Sequence, residues 1–187
     1  MKRIALLSVL MLMIAVPSFA APPNYVALKL GAYLPQDDDM DEFDTGFNGE
    51  VALGHYFNPN IAMEFSGGYF KSEGDAGGVS GEVTVNPILL SIKGVAPFAG
   101  GEFYGLVGGG LYITEFEVSA LGLTFTDDDT VFGFQLGIGA NFNLANNVFL
   151  GLEGKYFWAK PSISILGESL DVNIDGIQAT ANIGFRF

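Results

Sequence analysis

The chain has no cysteine, only one histidine, and eight basic residues against 21 acidic ones. Without cysteine, disulfide bonds cannot stabilise the fold. The formal net charge of −13 argues against a nucleic-acid partner, because phosphate binding requires a basic patch. The sequence also contains no Gly-x-Ser-x-Gly, Walker or zinc-ligand pattern, so we expect no cofactor.

Only the N-terminal stretch is continuously apolar over a long run. Met1–Arg3 is basic, Ile4–Val16 is apolar and uncharged, and Ser18–Ala20 supplies the small residues of a cleavage site. This order is typical of a secretory signal peptide. The apolar run is short for a membrane helix, which needs about 20 apolar residues. We therefore expect a cleaved signal peptide over residues 1–20 and one domain over residues 21–187.

The remaining chain is rich in glycine and alternates between apolar and polar residues. From Ile177 to Phe187 the alternation is unbroken, and a period of two places each set on one face of a β-strand. The same pattern, less regular at Pro87 and across 108–110, predicts eight strands. Their expected bounds are Tyr25–Pro35, Gly46–Phe57, Ile61–Phe70, Glu82–Pro97, Glu102–Val118, Val131–Leu144, Val148–Lys160 and Ile177–Phe187.

Long and short connections alternate between these strands. The expected long loops are Gln36–Thr45, Lys71–Gly81, Ser119–Thr130 and Pro161–Asp171. Both ends of the chain then lie on the side of the short turns, as in transmembrane barrels with short periplasmic turns and long extracellular loops.

Alternation alone leaves two orientations open. A soluble lipocalin-like barrel would place the apolar face inside, whereas a membrane barrel would place it outside. The charges on the clearest strands share the polar face, and a Lys or Arg facing lipid at the midplane would cost about 2–4 kcal/mol, which favours the apolar face outside. Aromatic residues also gather near both strand ends, where membrane barrels carry girdles. The expected girdle residues are Tyr25, Phe57, Phe142, Phe149 and Phe187 near the turns, and Tyr33, Phe47, Tyr69, Phe132 and Trp158 near the loops.

Two segments resemble a known family. The last strand ends on Phe187, and Phe98–Ile113 has an aromatic-then-glycine pattern; both resemble the small eight-stranded outer-membrane proteins of the OmpA-like and OmpW-like superfamily. The resemblance implies an all-β fold, an eight-stranded antiparallel up-and-down transmembrane β-barrel, in contact with outer-membrane lipid and lipopolysaccharide. It also implies that Ile183, Phe185 and Phe187 form the signal recognised by the barrel-insertion machinery.

Charged residues on the polar face are the first candidate site. They would point into the lumen, either as a buried ionic core that holds the strand register or as a gate along a narrow ion path. We favour the ionic core, because a barrel of eight strands is usually filled by side chains. The predicted lumen charges are Lys29, Glu50, Glu64, Lys93, Glu153, Lys155 and Arg186.

Acidic loops are the second candidate site. Asp37, Asp38 and Asp39, together with Asp127, Asp128 and Asp129, could hold Ca²⁺ or Mg²⁺ through carboxylate oxygens. Their spacing does not match an EF-hand loop, so solvated loops, which could meet an extracellular ligand, are the stronger interpretation.

The single histidine is the third candidate site. His55 has no serine beside it on its strand, which disfavours an outer-membrane lipid-modifying enzyme. We therefore expect a non-enzymatic outer-membrane barrel with a structural or interaction role. A narrow OmpW-like channel for small solutes is the first alternative, and a lipid-modifying enzyme is the second.

Overall fold

In the computed structural model, eight strands close into one antiparallel barrel. The structure describes residues 24–36, 43–76, 79–120, 123–165 and 168–187. The predicted signal peptide lies outside these residues. Around the barrel, each strand pairs with its neighbours along the chain and the last strand pairs with the first, while two short strands that precede the last one form a separate sheet.

The strands of the barrel vary widely in length. Their bounds are β1 Asn24–Pro35, β2 Gly46–Asn58, β3 Ile61–Ala76, β4 Val79–Phe98, β5 Gly101–Ala120, β6 Leu123–Asn143, β7 Val148–Trp158 and β10 Gly176–Arg186. The small hairpin consists of β8 Ser162–Ile165 and β9 Glu168–Asp171. Among the described residues, no helix is long and apolar enough to cross a membrane.

Short turns join the strands at the end of the barrel where β1 begins and β10 ends. Pro59 and Asn60 form one turn, and Ala99 and Gly100 form another. Gly100 has a φ of 98°, a left-handed conformation that glycine adopts without steric cost. Because membrane barrels have short periplasmic turns and longer extracellular loops, we call this the periplasmic end and the opposite end the extracellular end.

Pro87 interrupts the β3–β4 ladder without shifting its register. The pairs Gly67↔Ile88 and Phe70↔Val85 belong to the same register, and no pair is formed between them. Proline has no backbone N–H to donate, so it removes a hydrogen bond from the ladder. The less regular pattern at Pro87 therefore coincides with a gap in the ladder and not with a bulge.

The first and last strands complete the ring. β1 and β10 pair from Tyr25↔Arg186 to Pro35↔Gly176. Next to this ladder, Asn24 N donates to Phe187 O and Phe187 N donates to Asn24 O, both at 2.8 Å. A closed ring leaves no unpaired backbone edge within its paired belt, which a membrane requires because lipid cannot hydrogen-bond to the backbone.

Three of the four predicted long loops are largely strand or hairpin. β3 and β4 continue through most of the segment Lys71–Gly81, and β5 and β6 continue through most of Ser119–Thr130. The segment Pro161–Asp171 contains the β8–β9 hairpin. These segments contain Gly and Asp residues, which are common in turns, but cross-strand pairing continues through most of them.

The extracellular part of the barrel wall is not evenly paired. β6 pairs with β5 from Leu123 onward, but its pairing with β7 begins only at Phe134↔Trp158. β8 approaches β6 beyond that point but belongs to a separate sheet. Among the described pairings, the extracellular half of β6 therefore has a partner on one side only.

Candidate functional site: the charged lumen

Charged and apolar side chains are separated by the barrel wall. The large apolar residues of the predicted lipid face are exposed on the outside, with Ile138 at 74% and Phe132 at 60%. Lys29, Glu50 and Glu153 are each less than 5% exposed and point inward. A chain with this distribution is inverted relative to a soluble barrel, as expected for a protein whose outer surface meets lipid.

Six of the seven predicted lumen charges meet in one cluster, which we call the ionic cluster. It consists of Lys29, Lys93, Lys155, Glu50, Glu64 and Glu153, contributed by five strands. The three ammonium groups balance the three carboxylates. Because charges removed from water are stable only when paired, this equal count accounts for their burial.

Lys29 lies at the centre of the ionic cluster. Its Nζ atom is 2.8 Å from Glu50 Oε1, 2.7 Å from Glu64 Oε1 and 2.9 Å from Glu153 Oε1. Lys93 Nζ is 2.5 Å from Glu64 Oε2, and Lys155 Nζ is 2.5 Å from Glu50 Oε2. Each of the outer lysines therefore binds a carboxylate that Lys29 also binds, which connects the cluster across the lumen.

Two tyrosine hydroxyls also donate to carboxylate oxygens of the ionic cluster. Tyr25 donates to Glu64 Oε2 at 2.5 Å and Tyr104 donates to Glu153 Oε2 at 2.9 Å. Lys93 Nζ also lies over the Tyr104 ring, 4.2 Å from its centroid, a cation–π contact. These hydrogen bonds were not predicted from the sequence. Each tyrosine nevertheless lies an even number of residues from a charged lumen residue on its own strand, Tyr25 from Lys29 and Tyr104 from Glu102, and therefore faces the lumen as well.

Apolar side chains fill the lumen on both sides of the ionic cluster. The extracellular aromatic cluster is built around Tyr33, Phe70, Tyr112 and Phe157, all nearly fully buried. Phe157 contacts the other three rings at centroid distances of 5.7, 5.2 and 5.3 Å. The periplasmic aromatic cluster contains Tyr25, Ala27, Ala52, Tyr56, Ala62, Val95, Tyr104, Leu106 and Phe149.

The girdle prediction is wrong for three of the ten aromatic residues. Tyr25, Tyr33 and Phe149 are buried in the lumen, because they share the strand parity of Lys29 and Glu153. The other seven, such as Phe47, are exposed on the outer surface. Position near a strand end does not distinguish the buried aromatic residues from the exposed ones. The odd or even spacing from a charged lumen residue on the same strand, which we call strand parity, does distinguish them.

Arg186 lies apart from the ionic cluster, near the periplasmic end. Its Nη2 atom is 3.4 Å from Glu102 Oε1, and its guanidinium lies 4.6 Å from the Phe149 ring centroid. The same Glu102 oxygen accepts hydrogen bonds from Tyr56 and Asn141 at 2.6 and 2.7 Å. Glu102 was not predicted as a lumen residue, because the glycine run in β5 obscured the parity of that strand.

The acidic candidates do not form a metal site among the described residues. Asp37, Asp38 and Asp39 lie outside those residues. Asp127, Asp128 and Asp129 belong to β6 rather than to a loop, so their side chains alternate between the two faces of the strand. No group of three or more His, Cys, Asp or Glu residues suited to a metal is present in the described part of the chain.

One ion-pair group lies in the extracellular extension of β3 and β4. Lys71 Nζ is 2.6 Å from Glu73 Oε1 and 2.8 Å from Glu82 Oε2. These hydrogen bonds raise the pKa of Lys71 above its ordinary value. All three side chains are partly or largely exposed, so water and salt screen their interaction.

His55 lies on the outward face of β2 near the periplasmic turns. Its Nδ1 atom is 2.7 Å from Asn24 Oδ1, and its ring packs edge-on against Phe57 at 5.1 Å. Both contacts fit an interfacial side chain that supports the start of β1.

Two depressions lie on the barrel wall. One, of about 1120 Å³, is lined by lipid-facing residues such as Ala96, Ile138 and Ala181. The other, of about 320 Å³, is lined by residues that include Phe132 and Trp158 at the extracellular end of the β6–β7 ladder. The lining of the larger depression also includes Glu153 of the ionic cluster and Tyr104, which donates to it.

The comparisons with known proteins agree with this geometry. The family model described as outer membrane protein beta-barrel domain matches residues 5–187. No curated protein matches the chain in sequence. The outer membrane protein OprG from Pseudomonas aeruginosa is 13% identical, with a TM-score of 0.61 over 89% of this chain and 97% of that chain.

Two further solved structures share the fold. Neisserial surface protein A is 15% identical, with a TM-score of 0.56 over 88% of this chain and 97% of that one. A major outer membrane protein from Thermus thermophilus is 14% identical, with a TM-score of 0.59 over 90% and 100% of the two chains. With its inverted polarity, closed ring and family match, the chain belongs to the outer membrane β-barrel family and is a protein of the cell outer membrane.

Proposed function

We propose that this protein is a closed-lumen, non-enzymatic outer-membrane protein that acts at the cell surface through the extracellular extensions of β3 to β6. The observation that carries the proposal is the filling of the lumen. The ionic cluster ties five strands together across the interior, and an aromatic cluster lies on each side of it. A solute would have to break several buried ion pairs to pass, which is costly in a low-dielectric interior.

The strand lengths support an interaction role. β4, β5 and β6 have 20, 20 and 21 residues, about twice the 9–11 residues that a tilted membrane strand needs. The extra length lies on the extracellular side, where β6 has a partner on one side only among the described pairings. Unpaired strand edges are a known means of binding extended polypeptides, so we infer that the extracellular sheet is where a partner binds.

Single-channel recording in planar bilayers tests the closed lumen. We expect the refolded mature barrel to show no steady conductance. A matched variant, Lys29→Ser with Glu50→Ser, Glu64→Ser and Glu153→Ser, removes the central charges and serves as a positive control for insertion and sensitivity. A steady conductance from the unaltered barrel would contradict the proposal and favour the narrow channel.

Cell attachment tests the interaction role. The ladder allows Glu117–Thr126 to be replaced by Asn-Gly, which joins the paired residues Phe116 and Asp127 by a two-residue hairpin turn. A comparison variant replaces Gly74–Gly81 by Asn-Gly between the pair Glu73 and Glu82, which shortens β3 and β4 but leaves the extracellular half of β6 in place. We expect the first variant to lose attachment of expressing cells to one another and the comparison variant to lose less. Attachment no greater than that of cells lacking the protein would contradict the interaction role.

An enzymatic role has little support in the site geometry. His55 faces outward, and its Nδ1 atom is hydrogen-bonded to Asn24 Oδ1. Mass spectrometry of lipid A from expressing and non-expressing cells tests this part of the proposal, for which we expect identical acyl patterns. A changed acyl pattern would instead favour the lipid-modifying enzyme.

A further inference from the structure

Three buried side chains in the periplasmic half of the lumen have oxygen atoms without a protein partner. The atoms are Asn141 Oδ1, Thr180 Oγ1 and Asn182 Oδ1, and the three residues are between 3% and 5% exposed. A buried polar atom without a hydrogen bond destabilises the fold. In native proteins such atoms are normally satisfied by ordered water.

The strand register places two of these residues on either side of a glycine. Gly151 on β7 pairs with Asn141 on β6 and with Asn182 on β10. A Cβ atom at Gly151 would lie 2.5 Å from Asn182 Oδ1 and closer still to Asn141 Oδ1, distances that real Cβ atoms do not adopt. The two amide oxygens therefore converge over a position that carries no side chain.

The orientation of one amide is fixed by its other hydrogen bond. Asn141 Nδ2 donates to Glu102 Oε1 at 2.7 Å, so the carbonyl oxygen must point the opposite way, towards Gly151. In this orientation of the Asn182 amide, the two acceptor oxygens cannot bind each other. A ligand with two hydrogens to donate satisfies both, and Thr180, two residues before Asn182 on the same inward face, adds a hydroxyl to the same region.

We propose that Asn141 and Asn182 bind an ordered water molecule over Gly151, which donates one hydrogen to each amide oxygen. A water needs two to four polar partners, and the two amide oxygens with the hydroxyl of Thr180 can supply them. The site joins two parts of the lumen, since Asn141 binds the Glu102–Arg186 group and Asn182 pairs with Lys29 on the next strand. The water completes a polar row that runs between the ionic cluster and the periplasmic charges.

Water–protein cross-relaxation in NMR spectra of the refolded barrel in nanodiscs tests the site. We expect a persistent water cross-peak to the protons of Gly151 and the side-chain amide of Asn182. Gly151→Ala places a methyl group within 2.5 Å of both amide oxygens, which must then move away from the water, and we expect the cross-peak to Asn182 to be lost. Gly154→Ala is the matched control on the same strand, because a Cβ there meets no atom within 4 Å, and we expect it to retain the cross-peak.

A stability measurement keeps the proposal testable if Gly151→Ala fails to fold. Asn182→Leu removes the amide oxygen with little change in size. If the oxygen binds water, the substitution strands that water and lowers the denaturation midpoint, which is the result we expect. A higher midpoint would overturn the proposal, since it would mean that the oxygen had no partner. An anomalous Rb⁺ peak over Gly151 in soaked crystals would overturn it too, because a cation would then occupy the site.

Discussion

The ionic cluster and the extracellular aromatic cluster fill the same lumen by different physical means. The ionic cluster is held by directional pairs, in which three lysines and three glutamates leave little excess charge. The extracellular aromatic cluster is held by non-directional packing of rings around Phe157. Removal of one charged partner should therefore destabilise the ionic cluster strongly. Substitutions in the extracellular aromatic cluster should lower the free energy of unfolding in proportion to the volume removed.

The largest expected effect is from Lys29→Met. This substitution keeps most of the side-chain volume but leaves three buried carboxylates with two lysines, and we expect a loss of about 3–5 kcal/mol in the free energy of unfolding. Urea unfolding in detergent micelles, followed by tryptophan fluorescence, measures it. Lys71→Met is the control at an exposed ion pair and should leave the midpoint nearly unchanged. Equal effects for the two variants would show that burial does not distinguish the pairs.

Phe157→Ala tests the packing side of the comparison. It removes the ring that contacts Tyr33, Phe70 and Tyr112, and we expect a loss of about 3 kcal/mol in the same assay. Phe132→Ala removes a ring that is 60% exposed on the outer surface and should cost clearly less. If the two variants were equally destabilised, the extracellular aromatic cluster would not be a packed core.

Removal of single hydroxyl groups sharpens the comparison. Tyr104→Phe deletes the hydrogen bond to Glu153 Oε2 and should cost about 1.5–3 kcal/mol, the range for bonds to charged groups. Tyr112→Phe deletes a buried hydroxyl that has no partner among the described atoms, so it should be neutral or slightly stabilising. A larger loss for Tyr112→Phe than for Tyr104→Phe would contradict the assignment of these partners.

The smallest expected effect concerns Lys71 and pH. Because its pKa is raised by Glu73 and Glu82, any contribution to stability is complete below the ordinary lysine pKa. It is lost only as the pH rises through the higher folded-state value. Between about pH 6 and pH 9, below the ordinary lysine pKa of about 10.4, Lys71→Met and the parent barrel should show the same pH dependence of the denaturation midpoint. A difference that grows within this range would contradict the direction of the shift.

Most of the residues that face the lumen could be predicted from strand parity. Lys29, Glu50 and Glu153 were placed inside because their neighbours along the strand include the apolar residues that must face lipid. The same rule places Tyr25 and Phe149 inside, where they are buried, whereas their position near a strand end predicts a girdle. Apolar residues inside a membrane barrel are hard to recognise, because only parity, and not polarity, distinguishes them from the lipid-facing ones.

Other features could not be predicted from the sequence for physical reasons. The separation of Arg186 from the ionic cluster depends on strand tilt and register, which bring Glu102 to it from a distant strand. The extension of β5 and β6 through Ser119–Thr130 depends on backbone pairing, which the Gly and Asp residues of that segment do not suggest. The position of Gly151 between two asparagines likewise follows only once three strands are aligned.

The pairing of β1 with β10 has a consequence for how the molecule is made. The first and last strands of the barrel must pair before the ring is closed. This pairing joins residues that are almost as far apart in the chain as any two in the barrel, so its loop-closure entropy is among the most unfavourable in the fold. Until it forms, two bare edges would face hydrocarbon with their amides unbonded. A chain whose last strand is still inside the ribosome therefore cannot close the ring, and the barrel can be completed only after all eight strands have been made.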